Sequence, residues 1–147
     1  MQTLLGAIKT ALQTGITQAR DGDVFITPSL NFLPAGVKSP AIGIKDGPVT
    51  RKDQTCGVVE KTMQVQVAVF IQLQKPEAAV MGDVSTSSLG VLGAIDAIEA
   101  LLTDNLLAIS GMQAARPVAE SASELFVNDA GAGWQTKNIT YNYTWEG

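Results

Sequence analysis

The sequence predicts an α+β fold, in which an antiparallel or mixed β-sheet has two helices packed on one face. Two segments, Thr62–Leu73 and Trp134–Trp145, alternate at period 2, as strands with one buried face do. Two others, from Gln2 to about Thr14 and from Leu89 to about Asn105, carry apolar residues at helical spacing. Strands and helices are partly segregated along the chain, which is typical of the α+β class.

The segment Thr62–Leu73 is the expected centre of the sheet. Every second residue from Met63 to Leu73 is apolar, and β-branched residues fill its middle. At about 3.3 Å per residue, it is roughly twice as long as a typical strand. A strand of this length needs partners along its whole length, so we expect an antiparallel neighbour on each side.

The first helix is predicted from Gln2 to about Thr14 because apolar residues recur there at helical spacing. The segment Arg20–Asp23 then reads as a turn. Asp21 and Asp23 flank a glycine and could ligate calcium, but the other carboxylates of a calcium loop are missing. We therefore interpret the two aspartates as part of a turn.

Two short strands, Val24–Thr27 and Ala41–Lys45, are predicted on either side of a proline-containing ordered loop. The dipeptide Asp46-Gly47 is a strong hairpin-turn signal. The polar stretch Val49–Gly57 has no apolar rhythm. We expect an exposed excursion at about residues 46–60, between the Ala41 strand and the long central strand.

The second helix is predicted from Leu89 to about Asn105, with N-cap candidates in Ser85–Ser88. Gly90 and Gly93 in its first turns allow close contact with the sheet. They do not form the glycine pattern that a phosphate-binding loop places before a helix. A weaker extended region follows at Gln113–Val127.

The last predicted strand carries an aromatic stripe on one face. That face contains four large residues, Ile139, Tyr141, Tyr143 and Trp145. Such a stripe most often belongs to a core. Its place at the end of the sequence also leaves room for a contact role, so Tyr143 and Trp145 are kept as interface candidates.

Charge is distributed unevenly along the chain. The net charge of −4 disfavours a general nucleic-acid binder. Residues 1–75 hold eight Lys/Arg and five Asp/Glu, a net +3, whereas residues 76–147 hold two and nine, a net −7. This asymmetry predicts either a bipolar surface suited to stacking on oppositely charged neighbours or a fold that mixes the halves and has no pole.

The residue inventory argues against catalysis. The 147 residues, most simply one domain over 1–147, include no histidine, so the commonest general base and metal ligand is missing. Cys56 is the one cysteine and cannot form a structural zinc site. Nothing in the sequence places Asp21/Asp23 or Asp96/Glu99 in a pocket. We expect no enzyme activity, no cofactor, no metal and no membrane span.

The order of these elements resembles the tail terminator proteins of long-tailed bacteriophages. The likeness covers nearly the whole chain and lies in the order and texture of the segments. The matching features are the opening helix Leu4–Leu12, the proline-bounded strand Ser39–Ile44, the polar excursion 49–57, the long strand 62–73, the helix 89–105 and the closing strand Asn138–Tyr143.

The resemblance implies a structural part of the virion, made in the host cytoplasm. Six copies would form a ring that ends the tail tube at the head-proximal side. Its partners would be the other copies, the tail-tube protein and a neck or head-completion protein, with DNA passing through the lumen without specific binding. We expect the interfaces on the excursion, at Arg51, Lys52 and Asp53, and on exposed edges of the sheet.

Two other classes of function remain open from the sequence. One is a different phage neck or tail-completion protein, which the assembly partner and stoichiometry would distinguish. The other is a non-viral α+β module or enzyme that holds a small ligand between helix and sheet. A well-formed apolar pocket with convergent polar groups would favour that class.

Overall fold

A computed structural model describes residues 2–83, 88–128 and 131–146. Their centre is a six-stranded sheet of order β1-β2-β3-β6-β4, with β5 also paired to β6. The strands are β1 Val24–Ile26, β2 Ala41–Asp53, β3 Val59–Gln72, β4 Met112–Glu120, β5 Glu124–Val127 and β6 Gly133–Glu146. The helices are α1 Gln2–Gly15, α2 Pro76–Met81 and α3 Val91–Leu102, and short 3-10 turns lie at Asp21–Asp23 and Thr55–Gly57.

The predicted α+β class is confirmed. The short β1 runs parallel to β2, and every other described strand pair is antiparallel, so the sheet is mixed. The long strand β3 lies between β2 and β6 and pairs with β6 over Glu60–Gln72 without a register shift. The prediction of a central strand with antiparallel neighbours on both sides was therefore correct.

The main core lies between the helices and one face of the sheet. Leu4, Ile8 and Leu12 of α1 pack there with Ile95 and Ile98 of α3, all nearly inaccessible to solvent. The sheet contributes alternate residues of its two longest strands, including Val65, Val67, Ile139, Tyr141 and Tyr143. The third helix, α2, was not predicted because its six residues are too few to show helical periodicity.

The opposite face of the sheet carries a smaller aromatic cluster. Phe70 and Trp134 are buried there, and Phe25 and Phe126 pack against them. The loop after β1 covers this cluster with Leu30, Leu33 and Val37. Over residues 67–71 β3 is therefore buried on both faces, and the loop predicted to be ordered owes its order to this contact.

The predicted hairpin turn at Asp46-Gly47 is wrong. The strand β2 continues to Asp53, and its register against β3 shifts between Asp46 and Val49, which is a β-bulge. A Cβ on Gly47 would lie 2.8 Å from the Gln64 carbonyl oxygen, so glycine permits a close strand approach there rather than a turn. The chain reverses later, where the Gln54 amide donates to the Val58 carbonyl at 2.7 Å.

Two further predictions are refined by the structure. The extended region 113–127 consists of β4 and β5, which lie one after the other along β6. The helix predicted over 89–105 is shorter and begins after Gly90, its N-cap residue. The N-cap candidates Ser85–Ser87 lie outside the described residues, as do residues 129–130 of the turn before β6.

Candidate functional site

The hairpin tip, defined as residues 51–58, is the most exposed part of the long β2–β3 hairpin. Each of its residues is exposed, and Arg51, Lys52 and Asp53 pair with Lys61, Glu60 and Val59 of β3. On the other side of β3, strand β6 ends at Glu146, opposite Glu60. From Asp53 onward the tip therefore extends beyond the three-stranded part of the sheet.

The charged side chains of the tip are unpaired within the described part of the chain. None of Arg51, Lys52 and Asp53 forms an ion pair with another described residue. The side-chain amide of the neighbouring Gln54 donates to the Glu60 carboxylate at 3.3 Å. The charges of the tip are consequently accessible, and the interface role of these three residues stays a prediction.

Tyr143 and Trp145, the other two interface candidates, lie in the core. Tyr143 is fully buried and Trp145 is 7% exposed, both on the helix-covered face of the sheet. Burial raises the pKa of the Tyr143 hydroxyl above its ordinary value, and the neighbouring Tyr141 adds to the rise. These side chains stabilise the fold and offer almost no accessible surface, so burial argues against an interface role.

Both edges of the sheet are open along much of their length. On one side β1 covers only Ile42–Ile44 of β2, so no described strand pairs with the outer side of Lys45–Asp53, here called the hairpin edge. On the other side, no described strand pairs with the outer side of β4 or of β5. The segment Glu124–Val127 is here called the β5 edge.

The strand order separates the two oppositely charged halves of the chain. β1, β2 and β3 come from residues 1–75, and β6, β4 and β5 come from residues 76–147. The helices follow this division in part, because α1 lies against β1 and β2, whereas α3 lies against β6 and also reaches β3. In strand order, the half of net +3 therefore forms one lateral half of the sheet and the half of net −7 forms the other. This arrangement favours the bipolar interpretation.

Of the two aspartates around Gly22, Asp23 has a structural role. Asp23 is 2% exposed, and the Arg20 guanidinium donates to its two oxygens at 2.7 and 2.9 Å. The Lys38 backbone amide donates to the same carboxylate at 2.9 Å. The hydrogen bond from Arg20 holds the pKa of Asp23 below its ordinary value. Asp21 is exposed and does not join this cluster.

Replacing Asp23 with alanine should destabilise the fold by about 1–2 kcal/mol, because the Lys38 amide then loses its acceptor. The exposed side of Arg20 keeps the loss at this size. Asp21→Ala is the matched control and should change stability by less than about 0.5 kcal/mol.

A second substitution, Asp23→Asn, should lower the free energy of unfolding by an amount that depends on pH. The pKa of the Asp23 carboxyl is lower in the folded state than in the unfolded state. The stabilisation by its carboxylate is therefore complete above the unfolded pKa of about 3.9 and is lost as pH falls through the folded pKa. Urea unfolding between about pH 3 and 7 tests this; an equal cost at both ends would contradict it.

The described residues contain two open grooves. One, of about 860 Å³, lies beside α2 and is lined by both polar and apolar side chains, including Lys38, Gln72 and Leu89. The other, of about 540 Å³, lies between α1 and α3. Among the described residues no three His, Cys, Asp or Glu side chains cluster closely enough to hold a metal ion. No described helix is long and apolar enough to cross a membrane.

Comparison with known proteins places the fold. No family model matches the sequence, and no curated protein matches it. Among solved structures, a chain of the "Virion of native gene transfer agent (GTA) particle" is similar, with a TM-score of 0.54. The similarity covers 98% of this chain and 95% of that chain at 15% sequence identity. At 15% identity this similarity shows that the two chains share a fold.

Proposed function

We propose that the protein is a structural component of a phage-like virion, and that six copies form a ring ending the tail tube at its head-proximal side. The observation that carries the proposal is the fold similarity to a virion chain, which extends over almost the full length of both chains. The order of elements, which resembles that of tail terminator proteins, supports the specific place in the tail.

The surface of the subunit suits a ring. Closing a ring by head-to-tail contacts requires two different patches on each subunit, placed on different sides. This fold offers the hairpin edge and the β5 edge on opposite sides of one sheet, within halves of opposite net charge. Opposite charges at the two sides favour the contact between unlike patches and disfavour contacts between like ones.

The charge also suits a lumen through which DNA passes. Lys and Arg side chains bind phosphates, and several such contacts would retain DNA. The chain has ten Lys and Arg against fourteen Asp and Glu, and no described helix presents a basic stripe. We infer that DNA moves through the ring without specific binding, while the tail-tube protein and a neck or head-completion protein bind its two sides.

The first test is the mass of the purified protein, alone and mixed with the tail-tube protein of the same particle, by native mass spectrometry. We expect a complex that contains six copies of this chain at the tube end. A protein that remains monomeric and ignores the tube protein would overturn the proposal. A stable complex with another stoichiometry, or with a neck protein alone, would identify a different neck or tail-completion component.

A shortened hairpin should abolish the ring and leave the subunit folded. Lys52 and Glu60 are directly paired, so an Asn-Gly turn can replace residues 53–59 without changing the register of the remaining hairpin. The tip makes no contribution to either core cluster, so circular dichroism and the unfolding midpoint should change little. The fraction of sixfold complex should fall by at least about tenfold.

Two further measurements make this prediction specific. The double substitution Arg51→Glu/Lys52→Glu should also prevent assembly, whereas Lys9→Glu/Lys75→Glu, which changes net charge equally elsewhere, should not. Cys56 is exposed in the tip, so its alkylation rate should drop on assembly of the unmodified protein. Normal assembly of both the shortened protein and the Arg51→Glu/Lys52→Glu protein would exclude the tip from the contact. An unchanged alkylation rate in the ring would exclude the part of the tip around Cys56.

A further inference from the structure

We propose that the hairpin edge of one copy binds the β5 edge of the next copy, so that the sheet continues across the subunit boundary. This inference rests on the proposed ring and identifies the surface that receives the hairpin. Joining two open strand edges satisfies backbone groups on both and adds contacts between alternate side chains.

The β5 edge has the features of a strand that can pair with a further strand. Leu125 and Val127 are 63% and 58% exposed, although large apolar side chains on an isolated edge promote association. The strand pairs with β6 without a register shift and contains no proline. Its neighbour β4 is different, since it carries Pro117 and two register shifts. Of these two edge strands, β5 is the one without features that block strand addition.

The hairpin edge offers a segment of matching length. Its first part contains Pro48 and the bulge that ends at Val49. Beyond the bulge, Val49–Asp53 pairs regularly with β3, which leaves five residues for addition against the four of β5. Both regular segments lie at the ends of their open edges.

The β5 edge is held rigidly, which lowers the entropy cost of binding. Immediately before it, the Lys137 ammonium donates to the Ser121 carbonyl and lies 3.1 Å from the Glu120 carboxylate. Ser121 is also joined to β6, because its amide donates to the Asn138 carbonyl at 2.9 Å and its hydroxyl accepts from the Asn138 amide at 3.0 Å. Phe126 fixes the strand from the other side, against Phe70 at 5.6 Å between ring centroids.

The charges on the two edges favour pairing of a hairpin edge with a β5 edge over pairing of two identical edges. Glu124 is exposed and forms no ion pair with another described residue, as is also true of Arg51 and Lys52 on the hairpin edge. Two β5 edges placed together would bring two Glu124 carboxylates side by side, and two hairpin edges would bring together two segments of net positive charge. The pairing of hairpin edge with β5 edge places the Glu124 carboxylate against the net positive segment, and this pairing is head-to-tail, as a ring requires.

The test measures ring formation with the tube protein after changes at the β5 edge. Leu125→Asp and Glu124→Lys should each reduce the sixfold complex by at least about tenfold while circular dichroism of the monomer stays unchanged. Met81→Asp, at a side chain of similar exposure (68%), and Asp96→Lys, at an exposed carboxylate on α3, are the matched controls and should assemble normally.

A charge-reversal rescue makes the test decisive. The chain carrying Glu124→Lys together with Arg51→Glu/Lys52→Glu should assemble again, because the opposite charges face each other with exchanged signs. If the unmodified protein forms the sixfold complex and the β5 variants do so equally well, the inference is overturned and the proposed function stands. If the unmodified protein forms no such complex, the proposed function itself fails. Loss of assembly without rescue would also contradict the pairing of these charges.

Discussion

Replacing Phe70 with alanine is expected to lower the free energy of unfolding by about 3–5 kcal/mol. Phe70 is fully buried in β3, on the sheet face opposite the helices. Its ring lies 6.4 Å from that of Phe25 and 5.6 Å from that of Phe126, measured between centroids. Removing it leaves a cavity that joins β1, β3 and β5. A typical domain has about 5–15 kcal/mol in total, so the loss is a large part of the stability.

Phe32→Ala is the matched control, because Phe32 belongs to the loop over the same face but is 48% exposed. Its cost should stay below about 1 kcal/mol. Urea unfolding measures both values, and hydrogen exchange adds a local readout. Since Phe126 packs on Phe70, the amides of β5 should exchange faster in the Phe70 variant. Equal stability losses in the two variants would show that the aromatic cluster does not act as a core.

Phe70 also illustrates what the sequence could predict. Alternation in β3 and β6 was enough to identify their helix-facing residues, because a period of 2 places alternate side chains on one face. That pattern predicted one buried face and left the other face of β3 unassigned. The other face carries Gln64, Gln66 and Gln72, but Ala68 and Phe70 lie among them, and these two residues were the signal for a second buried cluster. The covering loop comes from residues more than thirty positions earlier, and periodicity within one strand cannot show such a contact.

The hairpin shows a different limit of sequence reasoning. Asp-Gly is a frequent turn dipeptide, but the same residues also suit a bulge, where glycine lets the neighbouring strand approach. The choice between them depends on how far the partner strand continues. Here β3 begins at Val59 and provides paired residues for β2 as far as Asp53, so the strand extends and the turn moves to the tip.

The candidate surfaces were only partly visible in the sequence. The polar run 49–57 indicated an exposed segment, and Arg51, Lys52 and Asp53 lie on it. The β5 edge was not identified, because its exposure depends on its pairing with β6 and on the absence of another strand beyond it within the described residues. The charge difference between the chain halves was clear, but only the strand order places those halves on opposite sides.

Gly90 and Gly93 lie three positions apart near the start of α3, and alanine should have opposite effects at the two sites. A Cβ on Gly90 would meet backbone atoms of α2 and its C-cap, the Val80 carbonyl oxygen at 2.6 Å and the Gly82 amide nitrogen. The close contact expected here with the sheet is thus made with α2 instead. Backbone atoms cannot rotate away, so Gly90→Ala should cost about 3 kcal/mol, at the upper end for overpacking.

Gly93 is the matched control within the same helix. A Cβ there would meet only the Leu89 side chain, at 3.4 Å, which is ordinary van der Waals contact. Alanine restricts the unfolded chain and is the better helix former, so Gly93→Ala should stabilise the protein by about 0.5–1 kcal/mol. Thermal and urea unfolding of both variants measure the two signs. A stabilising Gly90→Ala would mean that α2 and α3 can separate at their junction without loss, and that the tight approach of their backbones is not needed for the fold.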